Sequence, residues 1–402
     1  FWASYIDVLI KLERIGESKT LVKAVKQAGI SCDKIEALSQ QLHIEHQDPG
    51  PKGSQDLNKL LEEQNFDDAI KMCLGLTETY PASVVLNITL GKCYFELGQI
   101  EPATDSYQKA IKKNPKCVAA LIMLGQLHSA QGNPDQAIEN LKKAIAIEPE
   151  CAETHSNMGM LLKDQGKPEA AMESYRRAID IDPNFAAPHN NIGIILGDKD
   201  DLGGAIKNFK QALIIDPNCA GIYNNLGNVL NRKGDHEAAI AAYQQATKIK
   251  PNHEEIYYNM GNAQQAKGNL TDAIKSYQQA LYIKPDHLEA YHNMGTALNA
   301  MGDYEKAIKS YKKAIKINPL NSDSYHNIGL IQEANDNPAE AIENFKEVLK
   351  LDPDNVAAKH LLSALTGQQT ASAPNVYVEE LFDNYAVRFD QSLVEQLKYN
   401  VP

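Results

Sequence analysis

The sequence predicts an all-α protein, a solenoid of helix–turn–helix repeats, because proline, glycine and alanine each recur every 34 residues in one register. The prolines are Pro81, Pro115, Pro149, Pro183, Pro217, Pro251, Pro285, Pro319 and Pro353. The glycines are Gly91, Gly125, Gly159, Gly193, Gly227, Gly261, Gly295 and Gly329, and the alanines are Ala103, Ala137, Ala171, Ala205, Ala239, Ala273, Ala307 and Ala341. Such a period indicates stacked units in which small residues let two helices approach closely and proline ends each unit.

Nearly every unit adds an aromatic residue four positions after its alanine and a small residue three positions later, as in Ala273, Tyr277 and Ala280. Together with the period, these residues resemble the tetratricopeptide repeat. The resemblance implies a right-handed superhelical solenoid of about nine to ten units, each burying its apolar face against its neighbours.

The N-terminal part is less regular than the rest. Residues 1–45 are predicted to form divergent helices of the same kind, because Trp2, Tyr5, Ile6 and Leu9 fall at helical spacing. Residues 46–55 hold two prolines and two glycines and are predicted to be a linker. A degenerate unit, 56–83, follows and keeps the alanine of the pattern at Ala69.

Eight full units of 34 residues occupy 84–355, each with a first helix (helix A), a turn that usually carries glycine, and a second helix (helix B) that runs to the proline. The unit 186–219 differs, because Asp200 replaces the turn glycine and Gly203 and Gly204 enter early helix B. This difference indicates either a turn that is locally less stable than the others or a neutral substitution.

After the last full unit, residues 356–366 are predicted to form a capping helix, 367–375 a second linker and 376–402 a helical tail. In the tail, Leu381 to Asp390 and Leu393 to Pro402 resemble the lead-in of bacterial proteins that join such repeats to an S-adenosylmethionine-dependent methyltransferase domain. The resemblance implies that the chain is the recognition half of a longer enzyme.

Composition limits the classes of function. The net charge of −12 and the pI of about 5.4 argue against nucleic-acid binding. No apolar run reaches the roughly 20 residues that cross a bilayer, so no membrane partner is predicted. The six cysteines show no CxxC or zinc spacing and fit a reducing, cytoplasmic environment. No nucleotide-binding, metalloprotease or nucleophile motif is present. The chain is therefore predicted to be non-enzymatic, with no cofactor and no metal.

One repeated feature exceeds what folding requires. The position two residues before the repeat glycine is Asn in six consecutive units, namely Asn157, Asn191, Asn225, Asn259, Asn293 and Asn327. Asn is a mediocre helix former, but its carboxamide offers donors and an acceptor to the peptide groups of an extended chain. The six residues resemble the asparagine ladder of the O-linked N-acetylglucosamine transferase family, which implies a peptide held along the inner wall. Alternatively, they bond neighbouring groups and stabilise the stack.

Other side chains on the same wall refine this prediction. Asn224, Tyr258, His292 and His326 lie one residue before members of the row, and Asn228 and Asn262 lie three residues after. The wall lacks the Lys and Arg that a two-carboxylate clamp needs, and two histidines one repeat apart do not make a metal site. The predicted function is a scaffold that binds a protein or extended peptide. The alternatives are the substrate-recognition arm of a methyltransferase or glycosyltransferase, and a homo-oligomer formed through the terminal helices.

Overall fold

The computed structural model describes residues 51–367 and, in addition, Ile6, Ser18, Leu21, Val22, Ala24, Val25 and Pro49. The predicted helices of 1–45, apart from those isolated residues, lie outside the described part. So does the predicted tail of 376–402, which carries the resemblance to a methyltransferase lead-in. Both stay predictions.

Residues 51–367 form nineteen α-helices and no strand, which confirms the predicted all-α class. In unit order, they are α1 (Pro51–Glu62), α2 (Phe66–Thr79), α3 (Val84–Glu96), α4 (Ile100–Lys113), α5 (Val118–Ala130), α6 (Pro134–Ile147), α7 (Ala152–Asp164), α8 (Pro168–Ile181), α9 (Ala186–Asp198), α10 (Leu202–Ile215), α11 (Ala220–Arg232), α12 (His236–Ile249), α13 (Glu254–Ala266), α14 (Leu270–Ile283), α15 (Leu288–Ala300), α16 (Tyr304–Ile317), α17 (Ser322–Ala334), α18 (Pro338–Leu351) and α19 (Val356–Thr366). None of these helices is long and apolar enough to span a membrane.

The chain divides into two compact units, residues 1–195 (unit 1) and 196–402 (unit 2). In unit 1, α3 packs on α4, α5 on α6 and α7 on α8, and the B helices α2, α4 and α6 each also contact the A helix that follows. Unit 2 repeats this order with α11 on α12, α13 on α14, α15 on α16 and α17 on α18. Consecutive helices therefore share a core within each unit, as the repeat pattern predicts.

The repeat glycine is explained by its contact with the buried aromatic ring of helix B. In unit 2, a Cβ atom placed on Gly261 would lie 2.6 Å from Cε1 of Tyr277, and one on Gly227 would lie 2.6 Å from Cε1 of Tyr243. Both rings are almost completely buried. Only glycine lets the backbone of helix A touch the ring of helix B without displacing it.

The irregular turn of the 34-residue repeat 186–219 keeps the geometry of the other repeats. Asp200 adopts φ +64°, the left-handed conformation in which the turn glycines of other repeats lie. Arg232 secures this turn, because its Nη1 donates to the Gly197 carbonyl at 2.9 Å and its Nη2 lies 3.2 Å from Asp200 Oδ1. The Asp201 carboxylate caps α10 by accepting the Gly204 N–H at 2.9 Å.

The first helix of the described range begins earlier than the predicted repeats. Helix α1 begins at Pro51, inside the segment 46–55 that was predicted to be a linker. Proline suits the first turn of a helix because its missing N–H has no intrahelical partner there. At the other end, α19 buries Ala358 and Leu361 in one cluster with Phe345 of α18.

Candidate functional site

The six asparagines of the predicted row lie on six A helices, one on each of α7, α9, α11, α13, α15 and α17. All six are half-buried. In most repeats the glycine of helix A faces the ring of helix B. The Asn two residues before that glycine points about 200° away from it around the helix axis. The carboxamides are therefore on the side of helix A that faces away from helix B.

In unit 2, carboxamides of the row join consecutive repeats. Asn259 Nδ2 on α13 donates to Asn224 Oδ1 on α11 at 3.2 Å. Asn293 Nδ2 on α15 donates to two groups on α13, Asn262 Oδ1 at 2.9 Å and the Tyr258 hydroxyl at 3.1 Å. These bonds stabilise the packing of one repeat on the next, which is the second role that the sequence left open for the row.

The network continues into the core of unit 2. The Tyr277 hydroxyl lies 2.8 Å from Asn262 Oδ1 and 2.9 Å from Gln265 Oε1, and its single proton is donated to one of these oxygens or shared between them. Burial raises the pKa of Tyr277 well above its usual value, so the phenol stays a neutral donor. Asn262 therefore accepts from a buried tyrosine and from the row asparagine of the next repeat, and this arrangement fixes the orientation of both.

The aromatic residues of the predicted site are held against other rings. The Tyr258 ring lies 4.9 Å from that of His287 and 6.1 Å from that of Tyr277. The His326 ring packs edge-on to Phe345 at 5.8 Å. His292 lies 5.4 Å from Tyr311, and its Nδ1 is 3.0 Å from Ser324 Oγ. These three side chains thus have defined positions beside the asparagine row.

Burial lowers the pKa of His292, against a smaller opposing influence of Asp323. The folded chain therefore favours neutral His292, whereas the unfolded chain protonates it near the ordinary value of about 6.5. Stability is expected to fall as the pH drops below about 6.5, because the unfolded state then binds more protons. Melting midpoints at pH 7.5 and pH 5 should differ less for His292→Gln than for the unmodified chain. Equal pH dependence of the two proteins would contradict this assignment.

In unit 1, two members of the row line one hollow. Asn157 on α7 and Asn191 on α9 border a space of about 530 Å³, together with Ser156 and Met160. Asn157 Oδ1 accepts from Gln126 Nε2 of the preceding A helix at 3.2 Å. Asn157 Nδ2 is buried and has no hydrogen-bond partner among the residues that the structure describes. Leaving such a donor unpaired costs about 1–3 kcal/mol.

Sequence reasoning missed part of this hollow. Asp182 and Phe185 also line it, and they lie in the connection between α8 and α9, outside the helical row. Gln126 was missed as well, since it pairs with Asn157 from a unit whose row position holds Met123. Its sequence position could have identified it: Gln126 lies three residues after Met123, and positions i and i+3 share a helix face.

Family models described as TPR repeat or tetratricopeptide repeat match well over half of the chain. The matched residues are 60–127, 125–166, 152–185, 198–234, 227–268, 253–319 and 322–355. No curated protein matches the chain.

Several solved structures are similar to parts of the chain. A crystal structure of MamA is 30% identical in sequence to this chain. The match covers 40% of this chain and 95% of the MamA chain, with a TM-score of 0.39. YrrB, described as a TPR protein with an unusual peptide-binding site, is 22% identical and covers 47% of this chain and 97% of its own, with a TM-score of 0.42. The C-terminal part of a TPR repeat-containing protein from Cytophaga hutchinsonii is 20% identical and covers 59% of this chain and 98% of its own, with a TM-score of 0.51.

Proposed function

Because the chain belongs to the tetratricopeptide repeat family, whose fold is typical of protein-interaction scaffolds, we propose that it binds an extended peptide along its A helices through the asparagine row. The carboxamides would bond the main chain of the peptide. Such binding tolerates many sequences, because every peptide unit offers one N–H and one C=O.

The observation that carries the proposal is the hollow of unit 1. Asn157 and Asn191 both line this space, and the buried amide nitrogen of Asn157 has no partner in the described part of the chain. The carboxamide of Asn191 makes no hydrogen bond within the described part of the chain, so its donors and acceptor are available. A peptide carbonyl that accepts from Asn157 would remove the cost of the unpaired donor, and a peptide unit beside Asn191 would gain further bonds.

The row in unit 2 supports the same role with fewer open atoms. A carboxamide nitrogen carries two hydrogens. Asn293 donates both of them, to Tyr258 and Asn262. Asn259 donates one to Asn224 and keeps the other for a ligand. The carbonyl oxygens of both residues can accept a peptide N–H. In this unit the row would thus bind peptide and hold repeats together at the same time.

We expect Asn157→Ala/Asn191→Ala to weaken the binding of extended peptides by about two- to tenfold per residue, because each lost hydrogen bond contributes about 0.5–1.5 kcal/mol. The measurement is the affinity of peptides selected from a random library on the unmodified chain. A matched control is Asn140→Ala/Asn208→Ala, since these carboxamides lie on B helices and bond the backbone of their own helix.

Helicity and melting midpoint are measured for each protein, so that lost binding is separated from lost folding. Peptides that bind the row variant as tightly as the unmodified chain would show that the row is not the binding surface. Equal weakening by the control pair would show that the effect does not depend on the row.

A further inference from the structure

The hollow of unit 1 has an acidic side that the asparagine row does not explain. The carboxylates of Glu153 and Asp182 both line it, one from the first turn of α7 and the other from the end of α8. Across residues 51–367, no ion pair joins either carboxylate to a Lys or Arg side chain. Arg177, on α8, is paired with Glu150, so its charge is already balanced.

Asp182 is held in a fixed orientation. Its Oδ1 accepts the backbone N–H of Asn184 at 3.0 Å, which leaves Oδ2 for another donor. A carboxylate that is already oriented loses little side-chain entropy when a cation binds, and this makes an ion pair more favourable.

Part of the wall is apolar. Phe185 is half-buried at the edge of the hollow, and Met160 is 41% exposed although it lies on a helix that packs into the core. An aromatic face attracts a cation within about 6 Å of its centre, and a thioether packs well against a methylene chain. The space of about 530 Å³ falls within the range of about 300–1,000 Å³ that is usual for ligand pockets.

We infer that this hollow is an anchor pocket for one arginine or lysine side chain of the bound peptide. The inference rests on the proposed function, since Asn157 and Asn191 would hold the main chain beside the pocket. The aliphatic stem lies on Met160, the charged head lies near Phe185, and Glu153 and Asp182 bind it. The net charge of −12 adds a long-range attraction for basic peptides. The chain therefore prefers basic peptides although the row itself reads only backbone.

The test compares two capped decapeptides built from Ala, Gly and Ser that differ at one central residue, arginine in one and its uncharged isostere citrulline in the other. We expect the arginine peptide to bind the intact chain more tightly, with each ion pair contributing about a two- to fivefold effect. Glu153→Gln/Asp182→Asn should remove the preference, because it weakens the arginine peptide far more than the citrulline peptide. Higher salt should reduce the preference in the unmodified chain.

A matched control is Glu173→Gln/Asp180→Asn, which makes the same change in net charge at exposed positions of α8 that do not line the hollow. Equal affinity for the two peptides would overturn the anchor pocket and leave the proposed function standing. A preference that the control removes as well would also overturn it, because the net charge would then be the cause. If neither peptide binds, the proposed function and the anchor pocket fail together.

Discussion

Replacing Gly261 with alanine is expected to lower the stability of unit 2 by about 1–3 kcal/mol, the usual cost of overpacking a close-packed core. The added methyl would lie 2.6, 2.8 and 3.1 Å from three atoms of the Tyr277 ring. That ring is completely buried, and its hydroxyl is held by Asn262 and Gln265. The ring cannot move away without breaking those bonds.

Gly221→Ala is the matched control in the same unit and also on an A helix. The only atom near its added methyl is Cys219 Sγ at 4.0 Å, so the substitution removes backbone freedom without a clash. It should leave stability unchanged or raise it by up to about 1 kcal/mol. Thermal and urea unfolding of both variants, followed by helicity, provide the comparison. Equal stability of Gly261→Ala and the unmodified chain would show that the repeat glycine is not required by packing.

The contact between the repeat glycine and the ring of helix B explains why the helix pairs could be predicted from the sequence. The period of Gly, Ala and Pro, with an aromatic residue in nearly every repeat, predicts helix pairs because each residue type is needed for a close contact that recurs along the chain. Gly261 and Tyr277 are 16 positions apart, yet the repeat places them against each other as it places Gly227 and Tyr243. The helices and their pairing could therefore be predicted from spacing alone.

The site could be predicted only in part. The period identifies which asparagines share a face, but it does not say what their carboxamides bind. Asn259 and Asn293 have the same repeat position, yet one donates to Asn224 and the other to Tyr258 and Asn262, because those partners vary between units. The hollow could not be predicted from the sequence, for a related reason. Asp182 and Phe185 reach it from an inter-helix connection, where side-chain direction does not follow helical periodicity.

Asn293→Ala is expected to destabilise unit 2 by about 1–3 kcal/mol, because it removes two hydrogen bonds that contribute about 0.5–1.5 kcal/mol each. The higher helix propensity of alanine offsets a few tenths of a kcal/mol of this loss. Asn344→Ala makes the same change on α18, where the exposed carboxamide only bonds the Glu340 carbonyl of its own helix. That control should be close to neutral, and a melting-midpoint comparison shows the difference.

A double-mutant cycle with Tyr258→Phe isolates the bond between repeats. The phenyl ring keeps the stacking on His287 at 4.9 Å and loses only the hydroxyl that accepts from Asn293. We expect a coupling energy of at least about 0.5 kcal/mol between the two positions, the range seen for contacting residues. Additive effects would mean that this bond adds no stability. In that case Asn293 would join the two repeats through its bond to Asn262 alone.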